Sequence, residues 1–145
     1  MSFLPRKRVV VAVDFSEASI EAVKTACDLA GNPVNVFAIH ALLPIAHVSP
    51  PAVWHPETDQ ERKVATEKHL AEYLQRHQLA IAQSIVRLGD PAHEVIEFAK
   101  EQKADLIVIP SHGYHGVKRM LFGSLAESLI RHTDCPVLVL HRHDG

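Results

Sequence analysis

The chain has 145 residues, of which 47% are hydrophobic, and this size suits one domain with a sizeable core. A formal net charge of -2 argues against a nucleic-acid-binding surface. The first apolar run ends at Asp14, too early for a signal-peptide core or a membrane span. Cys27 and Cys135 lie in apolar surroundings, as buried reduced thiols do. We therefore expect one cytoplasmic domain over residues 1–145, with neither a nucleic acid nor a membrane as partner.

The first third of the chain predicts two buried strands on either side of an amphipathic helix. Residues 9–13 and 34–41 are apolar runs typical of strands that are covered on both faces. Between them, residues 16–30 carry apolar side chains three or four positions apart, and Gly31 is a typical helix end. Residues 42–56 contain several prolines, which argue against a regular helix and predict a surface loop.

The rest of the chain continues this alternation. Thr58 and Glu61 have capping-box spacing and predict a long helix, while residues 81–88 predict a third strand. Asp90 and the proline after it open a third helix. Residues 106–109 and 137–140 predict the last two strands, with a loop over 113–123 and a capped helix between them. The core candidates on the helices are Ile20, Val23, Cys27, Ala30, Val64, Leu70, Tyr73, Leu74, Val95, Ile96, Phe98 and Ala99.

Strands that alternate with helices and are apolar throughout predict an α/β fold with a single doubly wound parallel five-stranded sheet flanked by helices. Ligands bind such a sheet at the carboxyl ends of its strands, where the strand order reverses. Asp14 ends the first strand, His40 and Ala41 end the second, Gly89 ends the third, and residues 110–113 follow the fourth. We expect all of them to face one crevice.

The segment from residue 109 to residue 127 combines a strand with a glycine-rich loop. Gly113, Gly116 and Gly123 leave backbone N–H groups uncovered, and Ser124 has the spacing of a helix cap. Free amides near a helix start suit an anion such as a phosphate. Structural roles are compatible with the same residues, because Asp14 could cap the first helix and Gly123 could serve only to permit a tight turn.

The two ends of the chain carry a family resemblance. The segments VVVAVDFS at 9–16, GSLAE at 123–127 and CPVLVL at 135–140 resemble the universal stress protein family, over essentially the whole chain. Members that bind ATP carry Gly-x2-Gly-x9-Gly-Ser/Thr after the fourth strand. Gly113, Gly123 and Ser124 match this pattern, and Pro110 stands at its first glycine. The resemblance implies a Rossmann-like fold of the adenine nucleotide alpha hydrolase type.

The resemblance also implies a site for ATP, with Mg²⁺ bound through the phosphates. Val13, Asp14 and Phe15 would lie beside adenine and ribose, and Ala41 near the base, while residues 113–124 would hold the phosphates. We predict no catalytic residue and no protein ligand for a metal. The predicted nucleotide-binding residues are Val13, Asp14, Phe15, Ala41, Gly89, Pro110, Ser111, His112, Gly113, Gly116, Gly123, Ser124 and Leu125.

The last predicted strand is apolar on both faces and lies at the edge of the sheet, an arrangement that invites pairing with another chain. The resemblance likewise implies a homodimer through this strand. The predicted interface residues are Pro136, Val137, Leu138, Val139 and Leu140.

Three functions remain open. The first is an ATP-binding stress-response sensor or switch that acts on an unknown protein partner. The second is an interaction module of the same fold that has lost the nucleotide, with Pro110 as the mark of that loss. The third is a slow ATP hydrolase. An efficient enzyme is not expected, because the sequence has no P-loop, dinucleotide fingerprint or nucleophile elbow.

Overall fold

A computed structural model of the chain describes residues 3–48, 58–110 and 118–140. The described strands form one parallel five-stranded sheet in the order β3-β2-β1-β4-β5, which confirms the predicted fold class. No helix in these ranges is long and apolar enough to cross a bilayer. The elements are β1 (Val9–Ala12), α1 (Glu17–Ala30), a 3-10 helix (Pro33–Asn35), β2 (Val36–Leu42), α2 (Ile45–Val48), α3 (Asp59–Arg76), β3 (Gln83–Leu88), α4 (Pro91–Glu101), β4 (Leu106–Pro110), α5 (Lys118–His132) and β5 (Val137–Leu140).

The strand order reverses between β1 and β4. The chain first builds outward from β1 through β2 to β3, and then returns to place β4 and β5 on the other side of β1. β1 and β4 are in register, with Val11 opposite Val108. The carboxyl ends of these two strands therefore flank the position at which a doubly wound sheet forms its crevice.

The core has two halves, one on each face of the sheet. Because strand side chains alternate, Val9 and Val11 face α1 and α3, whereas Val10 faces α4 and α5. All three side chains are fully buried, and each contributes about 1.5–3 kcal/mol by leaving water. Both faces of the central strands are covered, which explains why these strands are continuous apolar runs.

Three predicted helix starts and one helix end are confirmed by backbone contacts. The side chains of Ser16, Thr58 and Asp90 accept hydrogen bonds from backbone N–H groups three residues ahead and cap α1, α3 and α4. Gly31 ends α1 at φ 76°, in the left-handed region that glycine adopts without strain.

The predicted loop over residues 42–56 is wrong in part, because it contains the one-turn helix α2. Pro44 precedes this turn, where a proline is tolerated, and the backbone N–H of Ile45 donates to a carboxylate oxygen of Asp59 at 2.9 Å. The prediction that Val64 belongs to the core is also wrong, because its side chain is 55% exposed. Helix α3 packs on the sheet only through its C-terminal half, where Leu70, Tyr73 and Leu74 are buried.

The predicted cap of the last long helix is also wrong. Helix α5 begins at Lys118, so Ser124 lies inside it, and Glu127 forms an ion pair with Arg131 at 2.8 Å instead of closing a capping box. Residues 118–122 contain neither proline nor glycine, so they can extend the helix. Gly123 costs a helix interior only about 1 kcal/mol relative to alanine, which tertiary packing can offset.

Candidate functional site

The turn over residues 14–16, here called the Asp14 turn, links β1 to α1 at the centre of the sheet. Oδ1 of Asp14 accepts hydrogen bonds from the backbone N–H of Ser16 at 3.0 Å, from the Ser16 hydroxyl at 2.5 Å and from the Ser19 hydroxyl at 2.6 Å. Among the described residues, every hydrogen bond to this carboxylate reaches Oδ1. The second oxygen, Oδ2, is therefore the one that a ligand hydroxyl could approach.

Ser19 connects both sides of the Asp14 turn. Its hydroxyl oxygen accepts the backbone N–H of Asp14 at 2.8 Å while it donates to Oδ1 of the same residue. The side chain is completely buried, so both bonds form away from water. Asp14 thus does help to organise the start of α1, as the capping interpretation held, although Ser16 is the cap itself.

Phe15 occupies a backbone conformation that bulky residues rarely adopt. Its φ is 67°, in the left-handed region, and such a residue persists only where its surroundings hold it. Its ring lies 4.7 Å from His40, 4.5 Å from His69 and 5.4 Å from Tyr73, measured between ring centroids. These four side chains, here called the aromatic clamp, fix the Asp14 turn against β2 and α3.

His40 joins the clamp to Val13, the residue that follows β1, by a hydrogen bond. Its Nδ1 lies 2.8 Å from the carbonyl oxygen of Val13, so Nδ1 carries the proton and donates it. Burial lowers the pKa of His40, while the Val13 carbonyl and Asp14 act in the opposite direction and His69 lowers it further. The imidazole is therefore neutral at pH 7, with Nε2 as an acceptor.

Tyr73 holds the far end of the turn from helix α3. Its hydroxyl donates to the carbonyl oxygen of Ser16 at 2.7 Å. Burial, with a smaller effect of Asp14, raises the pKa of Tyr73 to about 12, so the donor proton stays in place through the physiological range. The carbonyl of Val13, just before the Asp14 turn, and that of Ser16, its last residue, therefore both accept hydrogen bonds from side chains of other elements.

The structure brings Val13, Asp14, Phe15, Ala41 and Pro110 to neighbouring strand ends. Val13 extends the pairing beyond β1, because its N–H donates to the carbonyl of Ile39 at 2.9 Å. Ala41 lies near the end of β2, the strand beside β1. Pro110 ends β4 on the other side of β1, where it is buried and pairs with Leu140.

Gly89 stands apart from this group. It follows β3, an outer strand separated from β1 by β2, which places it about 10 Å away along the sheet. Its φ is 149°, and a Cβ there would lie 2.6 Å from Oε2 of Glu94. The backbone conformation therefore explains why this position is glycine, without reference to a ligand.

The remaining predicted site residues belong to the segment between β4 and β5. Gly123 and Ser124 lie in the first half of α5. Leu125 packs against the core between the sheet and the helices α4 and α5, so it supports the site from behind rather than facing it. Ser111, His112, Gly113 and Gly116 lie outside the described residues.

The structure adds His69 and Tyr73, which the sequence did not place at the site, and it shows that His40, expected only to face the crevice, contacts Phe15. His69 and Tyr73 are four positions apart on α3, a spacing that places both on one side of a helix. His40 ends a buried apolar run, and a polar residue at that position was the available signal. What the sequence could not supply was that all three side chains converge on Phe15.

Within the described ranges there is neither a disulfide bond nor a cluster of metal-binding side chains. Cys27 and Cys135 are free and only partly buried rather than fully buried, and burial raises the pKa of Cys27 above the usual thiol value. Among residues 3–48, 58–110 and 118–140, no group of three His, Cys, Asp or Glu side chains could hold a metal ion.

The outermost strand on the α5 side is β5, as predicted. Its residues 137–140 are half-buried, with Val137 and Val139 packed toward one half of the core and Leu138 and Leu140 toward the other. β5 pairs with β4 on one side only, and its other side is the edge of the sheet in the described part of the chain.

Comparisons with known proteins agree with this architecture. The model of the universal stress protein family matches residues 5–141. Universal stress protein MJ0531 of Methanocaldococcus jannaschii is 33% identical over 141 residues, which cover 94% of this chain and 82% of the relative. The solved structure of the hypothetical protein MJ0577 superposes with a TM-score of 0.72 at 20% identity, covering 98% of this chain and all of that one.

A second solved structure is that of the universal stress protein from Archaeoglobus fulgidus in complex with dAMP. It has a TM-score of 0.58 and 23% identity, and the superposition covers 97% of this chain and 100% of that one. At such identities the two solved structures establish the fold alone. The family follows from the match over residues 5–141 and from the relative at 33% identity: the chain belongs to the universal stress protein family.

Proposed function

We propose that this protein binds an adenine nucleotide, with ATP as its physiological ligand, and acts as a cytoplasmic stress-response sensor or switch. One observation carries the proposal. The Asp14 carboxylate stands where the strand order reverses, with Oδ1 committed to Ser16 and Ser19, and Oδ2 is not used by any described residue. The complex of the Archaeoglobus fulgidus relative with dAMP supports the choice of an adenine nucleotide.

In this proposal the ligand lies across the carboxyl ends of β1, β2 and β4. Oδ2 of Asp14 accepts a sugar hydroxyl, and the backbone near Val13 and Ala41 lies beside the base. The phosphates rest on backbone amides of residues 113–120, which run from the glycine-rich segment into the first turn of α5, where the N–H groups have no partner within the helix. Mg²⁺ bound to the phosphates would neutralise their charge. Pro110 has no N–H to offer, so the phosphate contacts fall to the residues that follow it.

The proposal is tested by thermal-shift titration with ATP, ADP and AMP, each with and without Mg²⁺, on the wild type and Asp14→Asn. Asparagine keeps an oxygen for Ser16 and Ser19 but replaces Oδ2 by an NH₂ group, so the turn survives while the charged acceptor for the sugar hydroxyl is lost. We expect the wild type to show a saturable rise in Tm. In Asp14→Asn the affinity should fall about 10-fold or more, as for a lost bond to a charged group.

The matched control is Asp28→Asn, which changes an exposed carboxylate on the same helix side of the sheet and should titrate like the wild type. A wild type with no Tm rise for any nucleotide would contradict the proposal. The interaction module of the same fold would then be the better account, with the missing N–H of Pro110 as its physical reason.

We also propose that the protein forms a homodimer through β5. The two edges of the sheet differ, because β3 carries Gln83, Ser84 and the charged Arg87, whereas β5 is apolar at every position. Polar and charged residues protect an edge strand from pairing, and an apolar edge is left open to it. Strand β5 is therefore the edge that favours a second copy.

Sedimentation velocity on the wild type, Val139→Lys and Val34→Lys tests this assembly. Val139 lies in β5, whereas Val34 is 62% exposed in the short 3-10 helix before β2 and serves as the control. We expect a dimer for the wild type and Val34→Lys, and a folded monomer for Val139→Lys. A monomeric wild type, or a dimer that tolerates the lysine in β5, would contradict this interface.

A further inference from the structure

We propose that Tyr73 is a positioning residue for sugar recognition, which holds the Asp14 turn so that the site prefers a nucleoside that carries sugar hydroxyl groups. The inference rests on the proposed nucleotide function for its ligand, whereas its first step concerns the turn alone. Tyr73 belongs to α3, 57 positions after Ser16 in the chain, and its hydroxyl donates to the Ser16 carbonyl oxygen at 2.7 Å.

The Asp14 turn has local hydrogen bonds and one distant one. Oδ1 of Asp14 accepts from the backbone N–H and hydroxyl of Ser16 and from the hydroxyl of Ser19, so these bonds set the internal shape of the turn. Among the described residues, Tyr73 supplies the one hydrogen bond that reaches the turn from outside residues 14–19. This bond therefore helps to set the direction in which the turn faces relative to the sheet.

Tyr73 acts on the Asp14 carboxylate through the two residues that follow it. The Ser16 carbonyl accepts the Tyr73 hydroxyl, while the N–H and hydroxyl of the same serine donate to Oδ1 of Asp14 at 3.0 Å and 2.5 Å. The Tyr73 ring also meets the ring of Phe15 edge to face, with the centroids 5.4 Å apart. Loss of these contacts should let the direction of Oδ2 vary.

Tyr73 is itself firmly held. Its side chain is buried, and it lies in the C-terminal half of α3, which packs on the sheet together with Leu70 and Leu74. Phe15, by contrast, sits at φ 67° and needs its surroundings to keep it there. The fixed phenol is therefore a support for the strained turn rather than a group that the turn supports.

The consequence for a ligand follows from the angle dependence of hydrogen bonds. A hydrogen bond weakens steeply when its geometry departs from linear, so the proposed bond from a sugar hydroxyl to Oδ2 of Asp14 needs a carboxylate with one direction. The proposed contacts of the base near Val13 and Ala41 do not use this carboxylate. A looser turn should therefore weaken a ligand with sugar hydroxyls and spare one without them.

Two variants on α3 separate this role from a general loss of stability. Tyr73→Phe deletes the hydroxyl but keeps the ring beside Phe15, and the Ser16 carbonyl keeps the Ser19 N–H at 3.1 Å as a partner, so the protein should fold. Thr66→Val is the matched control. It also deletes one hydroxyl that donates to a backbone carbonyl, that of Arg62 at 2.7 Å, within α3 itself.

The first measurement is amide hydrogen exchange in the free proteins, followed by NMR. The N–H of Asp14 donates to the buried Ser19 hydroxyl and reports the turn, while the N–H of Val108 in β4 reports the core. Relative to Val108, Asp14 should exchange about fivefold faster in Tyr73→Phe, as for one lost hydrogen bond, and at the wild-type ratio in Thr66→Val. An unchanged ratio in Tyr73→Phe, or an equal rise in both variants, would overturn the proposal.

The second measurement compares adenosine with 2′,3′-dideoxyadenosine by calorimetry. The wild type should bind adenosine about 10-fold more tightly, because only adenosine offers hydroxyls to Oδ2 of Asp14. In Tyr73→Phe this preference should fall to about threefold or less through weaker adenosine binding, with the dideoxynucleoside within about twofold of its wild-type affinity. Thr66→Val should keep the wild-type preference.

A merely structural role gives a different result. If Tyr73→Phe weakens both nucleosides equally, their ratio is unchanged and the proposal is overturned. Asp14→Asn should abolish the effect of Tyr73→Phe on adenosine affinity, because both changes act on one contact, and additive losses in the double variant would also overturn it.

The proposed function can fail separately. A wild type that binds neither nucleoside, or binds both equally, would count against the proposed site for the sugar. Exchange at the Asp14 N–H in the free protein would still decide whether Tyr73 holds the turn.

Discussion

Ser19 contributes to the site without facing it. Its buried hydroxyl satisfies the backbone N–H of Asp14 and donates to the Asp14 carboxylate. Phe15 stays in a strained conformation only because such bonds and the aromatic clamp fix the residues around it. At the scale of single residues, the geometry of the site is therefore set by side chains behind the turn.

The substitution Ser19→Ala should lower the free energy of unfolding by about 1–3 kcal/mol, because it leaves the buried N–H of Asp14 without its acceptor. Urea denaturation measures the change. Ser84→Ala on the edge strand β3 is the matched control and should change stability by less than about 0.5 kcal/mol. If both substitutions lower the free energy of unfolding equally, then the hydrogen bonds between the Ser19 hydroxyl and Asp14 do not stabilise the turn.

His40 also predicts how stability depends on pH. Its pKa in the folded protein lies below the ordinary value of 6.5, so the unfolded chain binds a proton more readily than the native state. Stability from this group is therefore complete above pH 6.5 and is lost as the pH falls below it, down to the folded pKa. Thermal unfolding from pH 8 to pH 5 should show a smaller decline for His40→Asn than for the wild type. If the stability of both proteins falls equally with pH, then groups other than His40 cause the loss of stability.

At the scale of elements, the strands were predictable and the start of α5 was not. Buried parallel strands are apolar on both faces, so β1, β4 and β5 could be identified from short apolar runs. Gly123 and Ser124 have the sequence pattern of a helix start, because a capping box is defined by a few neighbouring residues that can also occur inside a helix. The helix runs through them, and no local signal distinguishes the two arrangements.

This difference can be measured at Gly123. If it lies inside α5, then Gly123→Ala removes the entropic cost of a helical glycine and should raise the free energy of unfolding of the free protein by about 0.5–1 kcal/mol. Gly89→Ala is the contrasting substitution and should destabilise the protein, because φ is 149° there, a backbone conformation that L side chains rarely adopt. A destabilised Gly123→Ala would indicate a turn at this position, as the capping pattern predicted.

The sequence predicted which candidate residues lie at strand ends, but not the side chains that hold them. The rule for doubly wound sheets predicted that Asp14 and Ala41 share one end of the sheet, and the structure places both at neighbouring strand ends. Phe15 and His40 were expected at the crevice, but the aromatic clamp as a cluster was missed, because its members come from positions 15, 40, 69 and 73 and only the folded chain brings them together. Gly89 was included because the sequence gives strand ends but not strand order, and the order puts β3 at an edge.

In the whole molecule, we propose that one crevice at the carboxyl ends of the strands receives the nucleotide. The two ends of the sheet offer a clear contrast. The carboxyl end holds the Asp14 turn and its clamp, while at the amino end the backbone N–H groups of Lys7 and Arg8 donate to the Asp105 carboxylate. A ligand at one end should leave the other undisturbed.

The most direct test is an amide NMR titration of the ¹⁵N-labelled protein with ATP and Mg²⁺. We expect saturable shifts at Asp14, Phe15 and Ala41, with no change around Arg8 and Asp105 at the opposite end. Saturable shifts confined to the opposite end, or a spectrum unchanged at millimolar ATP, would contradict this proposal.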